Sequence, residues 1–194
     1  PDLFTDRAGT LTVGQYELKT IERLLARRPK LDGIYLDSTS GWVTRYPNFR
    51  REHFRYANHA LSYDADSGRV IVPGWMHTYE FMRELRSRLN ANGKIVFPNN
   101  GRGRRNAPLY FVCDVIGLEG GLRRGDFEEQ LNFYRTLAGR RPILVMEYLE
   151  VLGKPTRHAT RAGFERLWKW CTLYGVHPSI GRSCVEAYEQ FPDV

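Results

Sequence analysis

The chain has 194 residues, 42% hydrophobic and 26% charged, with 29 Lys and Arg against 22 Asp and Glu and a formal net charge of +7. These values suit one globular domain with its own core and exclude a globally disordered chain. The positive balance suits an anionic partner such as nucleic acid or a uronic or sulfated polysaccharide, but solubility alone would also account for it.

Residues 13–28, VGQYELKTIERLLARR, carry apolar residues at helical spacing and stop at Pro29. The spacing predicts a helix there, followed by a strand over 32–37. Residues 38–74 read as a long connection with a short helix over 49–57 and a small extended pair around DADSG. A helix is expected over 76–91, ended by Asn92–Gly93. KIVFPN (94–99) reads as a strand and GRGRRNAP as a loop. LYFVCDVIG (109–117) reads as a strand, nearly continuous in apolar residues, as when both faces are covered. A helix over 126–138, a strand over 142–148, a helix over 159–174, a short strand over 175–181 and a last helix over 182–190 complete the pattern.

Strands alternating with helices imply parallel βα units and an α/β fold. The five units form a single domain over residues 1–194. A complete (β/α)8 TIM barrel has eight strands and typically about 250 residues. The pattern therefore corresponds to a partial barrel, its second half, strands four to eight. The chain would be a fragment of a longer enzyme or would complete its sheet by self-association. A doubly wound sheet is the competitor, but its GxGxxG phosphate turn is absent.

Several features exclude or weaken other classes. No apolar run approaches the ~20 residues that span a bilayer, so no membrane partner is expected. PDLFTDRAGT at the start lacks the basic and apolar regions of a signal peptide. It also lacks an initiator Met, which fits a processed chain or a piece of a longer one. The compartment stays open, secreted and periplasmic locations included. Cys113, Cys171 and Cys184 are widely spaced, without a CxxC or Cys/His ligand pattern, which argues against a zinc site and a disulfide framework. The five histidines show no HExxH pairing, although His59 and His77 lie near the long connection. No GxSxG nucleophile motif occurs. DADSGR places acids at alternate positions but fails the calcium-loop spacing and reads as a β-turn. Neither a metal nor a cofactor is called for.

In parallel α/β folds ligands bind at the C-terminal ends of the strands. The acids expected there are Asp37, Asp114 and Glu147, with Glu119 just beyond. Alternation puts Tyr35 with Asp37, Tyr110 and Val112 with Asp114, and Ile143 and Val145 with Glu147. If those faces line a barrel, the acids converge at its mouth. Each could instead cap a strand and meet one of the many arginines. Two converging carboxylates are the equipment of glycoside hydrolysis. Trp42, Tyr46, Tyr63, Trp75 and Tyr79 follow the first strand, and flat rings stack on the C–H faces of sugars. Packing within the loop would use the same rings.

The stretches DGIYLDSTSGW, REHFRYANHALSYDADSGRVIVPGWMHTYEFMRELRSRLNANGKIVFPN and YFVCDVIGLEGG together resemble the second half of the (β/α)8 domains of retaining glycoside hydrolases. These enzymes are broadly similar to alpha-galactosidases and endo-alpha-N-acetylgalactosaminidases. The resemblance covers roughly residues 31–150. It implies a carbohydrate substrate, with Asp37 at the end of strand four as nucleophile and Glu119 or Asp114, on or after strand six, as general acid/base. Glu119 is preferred for its loop position. Asn99, Asn100 and Glu147 would hold sugar hydroxyls. Two other functions compete with hydrolysis. One is a noncatalytic carbohydrate-binding or assembly domain on the same fold. The other is a basic nucleic-acid binder using GRGRRN, which lacks the interleaved aromatics of base stacking.

Overall fold

A computed structural model describes residues 11–43, 46–99, 104–119, 127–147, 150–151, 154–155, 160–180 and 193. Helix α1 (Val13–Arg27) begins at a reciprocal cap. Thr12 Oγ1 accepts from the Gln15 N–H at 3.2 Å, and Gln15 Oε1 accepts from the Thr12 N–H at 3.0 Å. Strand β1 (Gly33–Leu36) follows, then a 3-10 turn over Thr39–Trp42 and the short helix α2 (Arg51–Phe54). The hairpin of β2 (Ser62–Tyr63) and β3 (Val70–Ile71) holds DADSGR in its turn, where Asp64 accepts from the Ser67 N–H and hydroxyl.

Helix α3 (Met76–Asn90) runs back to β4 (Ile95–Pro98), and Gly93, at φ 67°, makes the left-handed stop expected of Asn92–Gly93. After a 3-10 helix (Arg104–Val112) come β5 (Ile116–Glu119), α4 (Phe127–Ala138), β6 (Ile143–Glu147), the small hairpin β7 (Glu150–Val151) and β8 (Lys154–Pro155), α5 (Arg161–Tyr174) and β9 (His177–Ile180). The hairpin β7–β8 has no counterpart in the sequence reading, and the last helix expected over 182–190 lies outside the described residues. No helix among the described residues is long and apolar enough to cross a membrane.

The parallel strands lie side by side in chain order. β1 pairs with β4, β5 with β6 and β6 with β9. A parallel bridge from Asn99 to Gly117 joins the two groups. Among the described residues the strands do not close into a barrel, and the architecture is mixed α/β.

The two sides of the sheet differ. Ile34, Leu36, Val96, Ile116, Leu118, Ile143 and Val145 alternate onto one side and are buried in the core with Phe81, Met82, Leu85 and Leu89 of α3. Each such side chain contributes about 1.5–3 kcal/mol on burial. The other side carries Tyr35, 47% exposed, and Ile95, 42% exposed. On that side the Tyr35 hydroxyl lies 3.8 Å from Met146 Sδ, although β4 and β5 separate their strands, so the two long side chains reach across the sheet toward each other. Helix α1 shows a related asymmetry. Leu18 and Ile21 face the core, while Val13, Tyr16 and Leu24 form a second apolar stripe that is exposed.

The expected strand over 109–117 is corrected. Residues 104–112 are 3-10 helix, and β5 starts only at Ile116. The burial explains the difference. Leu109, Tyr110, Val112 and Cys113 are buried while Phe111 is 55% exposed, a helical rather than an alternating rhythm. A four-residue apolar run does not distinguish the two periods. Arginines satisfy the helix's last carbonyls: Arg141 donates to the Tyr110 and Cys113 carbonyls and Arg86 to that of Phe111. Cys113 and Cys171 are buried, and burial pushes the Cys113 thiol up to about 12.

The crossing from β4 to β5 is tight. A Cβ on Gly117 would stand 2.4 Å from the Pro98 carbonyl oxygen and 2.5 Å from a ring carbon of Phe97. Gly117→Ala is therefore expected to destabilise the protein by about 1–3 kcal/mol, as overpacking does, read as a lower denaturant midpoint.

Candidate active site

Asp37 directly follows β1 and Asn99 directly follows β4, so the paired strands deliver both to the same C-terminal end. The Asn99 amide donates to Asp37 Oδ1 at 3.1 Å, the Tyr35 hydroxyl donates to the same oxygen at 3.1 Å, and the Ser38 hydroxyl donates to Oδ2 at 3.1 Å. The Asn99 amide, helped by Ser38 and Tyr35, holds the Asp37 carboxyl below its ordinary value against a small opposing effect of burial. The carboxylate is exposed and ionised. Its partners among the described residues are neutral, with no arginine among them.

Asn99 is only 2% exposed. Its backbone N–H donates to the Leu36 carbonyl at 2.8 Å, and its carbonyl accepts from the Thr39 N–H at 3.0 Å and the Thr39 hydroxyl at 2.7 Å. Between Asp37 and Thr39, Ser38 sits at φ 51°, ψ 34°. Among the described residues it is the one non-glycine with positive φ. Such outliers cost of order 1–3 kcal/mol and cluster at functional sites.

The other expected site residues divide. Glu119 is the last residue of β5 and pairs with Met146 in the register, at the same end of the sheet as Asp37. Glu147 ends β6, one position beyond Met146. The side chains of Glu119 and Glu147, and Asn100 altogether, lie outside the described residues.

Asp114 is also corrected in place. It precedes β5 and sits at the opposite end of the sheet from Asp37. It accepts from Arg86 Nε at 2.8 Å, from the Val96 N–H at 2.9 Å and from the Asn90 amide at 3.0 Å. Burial pushes its pKa up, but the Val96 N–H, Arg86 and Asn90 outweigh this and hold it below the ordinary value. This acid stitches α3 to β4.

The aromatics gather where α3 begins. Trp42 is 40% exposed and packs edgewise on Phe81 at 5.9 Å, and its carbonyl accepts from Thr78 at 3.3 Å and contacts His77 Nε2 at 3.3 Å. Trp75 and Tyr79 are half-buried and meet edge to face at 5.9 Å. Tyr46 and Tyr63 are 80% and 71% exposed. His59 Nε2 lies 3.9 Å from the buried Glu80. Sequence reasoning missed Ser38 and Thr39 as parts of the site. Tyr35 carried a usable signal, the two-residue alternation with Asp37. Comparison with protein-family models, with curated proteins and with solved structures returned no match.

Proposed function

We propose that the chain is the second half of a (β/α)8 barrel of a retaining glycoside hydrolase, with Asp37 as nucleophile and Glu119 as general acid/base. The observation that carries this reading is the state of Asp37. It is an exposed, ionised carboxylate at a strand's C-terminal end, held by three neutral donors, with no counter-cation among the described residues. A strand-end acid serving only structure would be expected to meet a cation, as Asp114 meets Arg86. The chain-order parallel strands and the reach of Tyr35 to Met146 across the sheet support the barrel. The exposed second stripe of α1 and the open side support its completion by further strand–helix units, from a longer chain or a second copy.

In this mechanism the Asp37 carboxylate attacks the anomeric carbon and forms a glycosyl ester, while the Glu119 carboxyl protonates the departing oxygen. Glu119, now ionised, takes a proton from water, which attacks the same carbon and frees Asp37. A lowered pKa suits the first role, because the nucleophile must start ionised. Trp42, Trp75 and Tyr79 would offer rings to the sugar.

Trapping tests this. 2-Deoxy-2-fluoroglycosyl fluorides of both anomeric configurations should load the protein with one fluoroglycosyl group, and peptide mass spectrometry should find it on Asp37. A label on another residue, or turnover of these reagents without any label, would reject Asp37 as the nucleophile.

A further inference from the structure

We propose that Thr39 is a positioning residue for this site, aiming the Asn99 amide at Asp37 by gripping the Asn99 carbonyl. This deepens the glycosidase reading and rests on it only for the role of Asp37 as nucleophile.

Thr39 has no exposed surface, so it is unable to touch substrate. Both of its donors, the N–H at 3.0 Å and the hydroxyl at 2.7 Å, converge on the Asn99 carbonyl. The third anchor is the Asn99 N–H on Leu36. The Asn99 backbone is thus held from both sides, and its side chain, itself almost fully buried, has one described acid to meet, Asp37 Oδ1. The left-handed Ser38 turns the chain so that the residue after Asp37 points its hydroxyl at Asp37 and the next, Thr39, points inward to Asn99. A strained residue between the acid and its clamp is what a site under positional constraint would retain.

Among the described residues the groups that meet Asp37 are Tyr35 from its own strand, Ser38 from the turn and Asn99 just after β4, with no lysine or arginine among them. Of these only Tyr35 carries an ionisable group besides Asp37 itself. Glu119 ends the neighbouring β5, its side chain outside the described residues.

The test is Thr39→Val, which removes the hydroxyl at nearly constant volume, with Thr39→Ser as the conservative rescue. Asp37 is titrated by carbon NMR of its labelled carboxyl group, a readout independent of any hydrolysis. The valine variant should move the Asp37 midpoint up toward the ordinary carboxylate range, and the serine variant should restore it. In an Asn99→Ala background the valine change should have no further effect, because Thr39 acts through Asn99. If turnover of an aryl glycoside is observed, Thr39→Val should lower kcat and leave KM in place. Should the valine variant fail to fold, Thr39→Ala removes the same hydroxyl without adding a methyl group against the Asn99 carbonyl. A folded variant lacking the hydroxyl but with an unmoved Asp37 midpoint would overturn the proposal. So would a serine variant as altered as the valine one, or an equal shift without Asn99. Absence of hydrolysis with the expected NMR shifts would count against the glycosidase reading and leave the positioning role standing.

Discussion

Asp37→Asn is expected to reduce hydrolysis of any accepted glycoside by about 10⁴-fold or more, as removal of a group that acts within a covalent catalytic unit does. The substitution keeps shape and removes only the charge. It should leave the fold unchanged, because Asp37 is exposed and its partners among the described residues are two hydroxyls and an amide rather than a cation. Circular dichroism and the melting temperature should match those of the parent. A second variant makes the loss diagnostic. Asp37→Ala opens space for a small anion, and azide should restore turnover by attacking the anomeric carbon from the vacated side, giving a glycosyl azide of inverted configuration. Hydrolysis that survives Asp37→Asn undiminished would mean that another group attacks, or that the carboxylate only binds.

Asp114 is expected to behave in the opposite way. Asp114→Ala should cost about 3 kcal/mol of stability, because it deprives the Val96 N–H, Asn90 and Arg86 of their shared acceptor at once. For a chain of this length that corresponds to a fall of about 6–12 °C in melting temperature. The carboxylate is 15% exposed and Arg86 34%, so water softens the loss without removing it. The pH dependence follows from the lowered pKa. A carboxylate with a depressed folded-state pKa stabilises fully above its unfolded value and loses that contribution as pH falls through the folded value. The parent should therefore lose stability below about pH 4, and Asp114→Asn should show a shallower fall. A melting temperature unmoved by Asp114→Ala would remove the structural role assigned to it.

The contrast between these acids shows what the sequence could and could not convey. The long helices were legible from apolar spacing and from their stops, Pro29 after α1 and Asn92–Gly93 after α3. β1 and β4 were legible within a residue or two at each end, and with them the placing of Asp37 and Asn99 at one edge. Asp114 was misplaced because LYFV is too short to reveal its period, so a 3-10 helix passed for a strand and the real strand began late. The grip of Thr39 on Asn99 was illegible for a simpler reason. It joins residues 60 apart in sequence, and hydroxyl-bearing residues in a turn look alike whichever way they point.

The long connection between β1 and β4 has a further consequence, for the order in which the molecule assembles and yields. β5 and β6 pair over 27 residues, Ile116 with Ile143, whereas Asp37 and Asn99 meet across 62. Longer loops cost more entropy to close, and non-local pairings delay folding. The later strands are therefore expected to pair before β1 docks with Asp37. Amide exchange should then find the β1–β4 seam opening at lower free energy than β5–β6, so that gentle destabilisation silences the site while most of the sheet still stands.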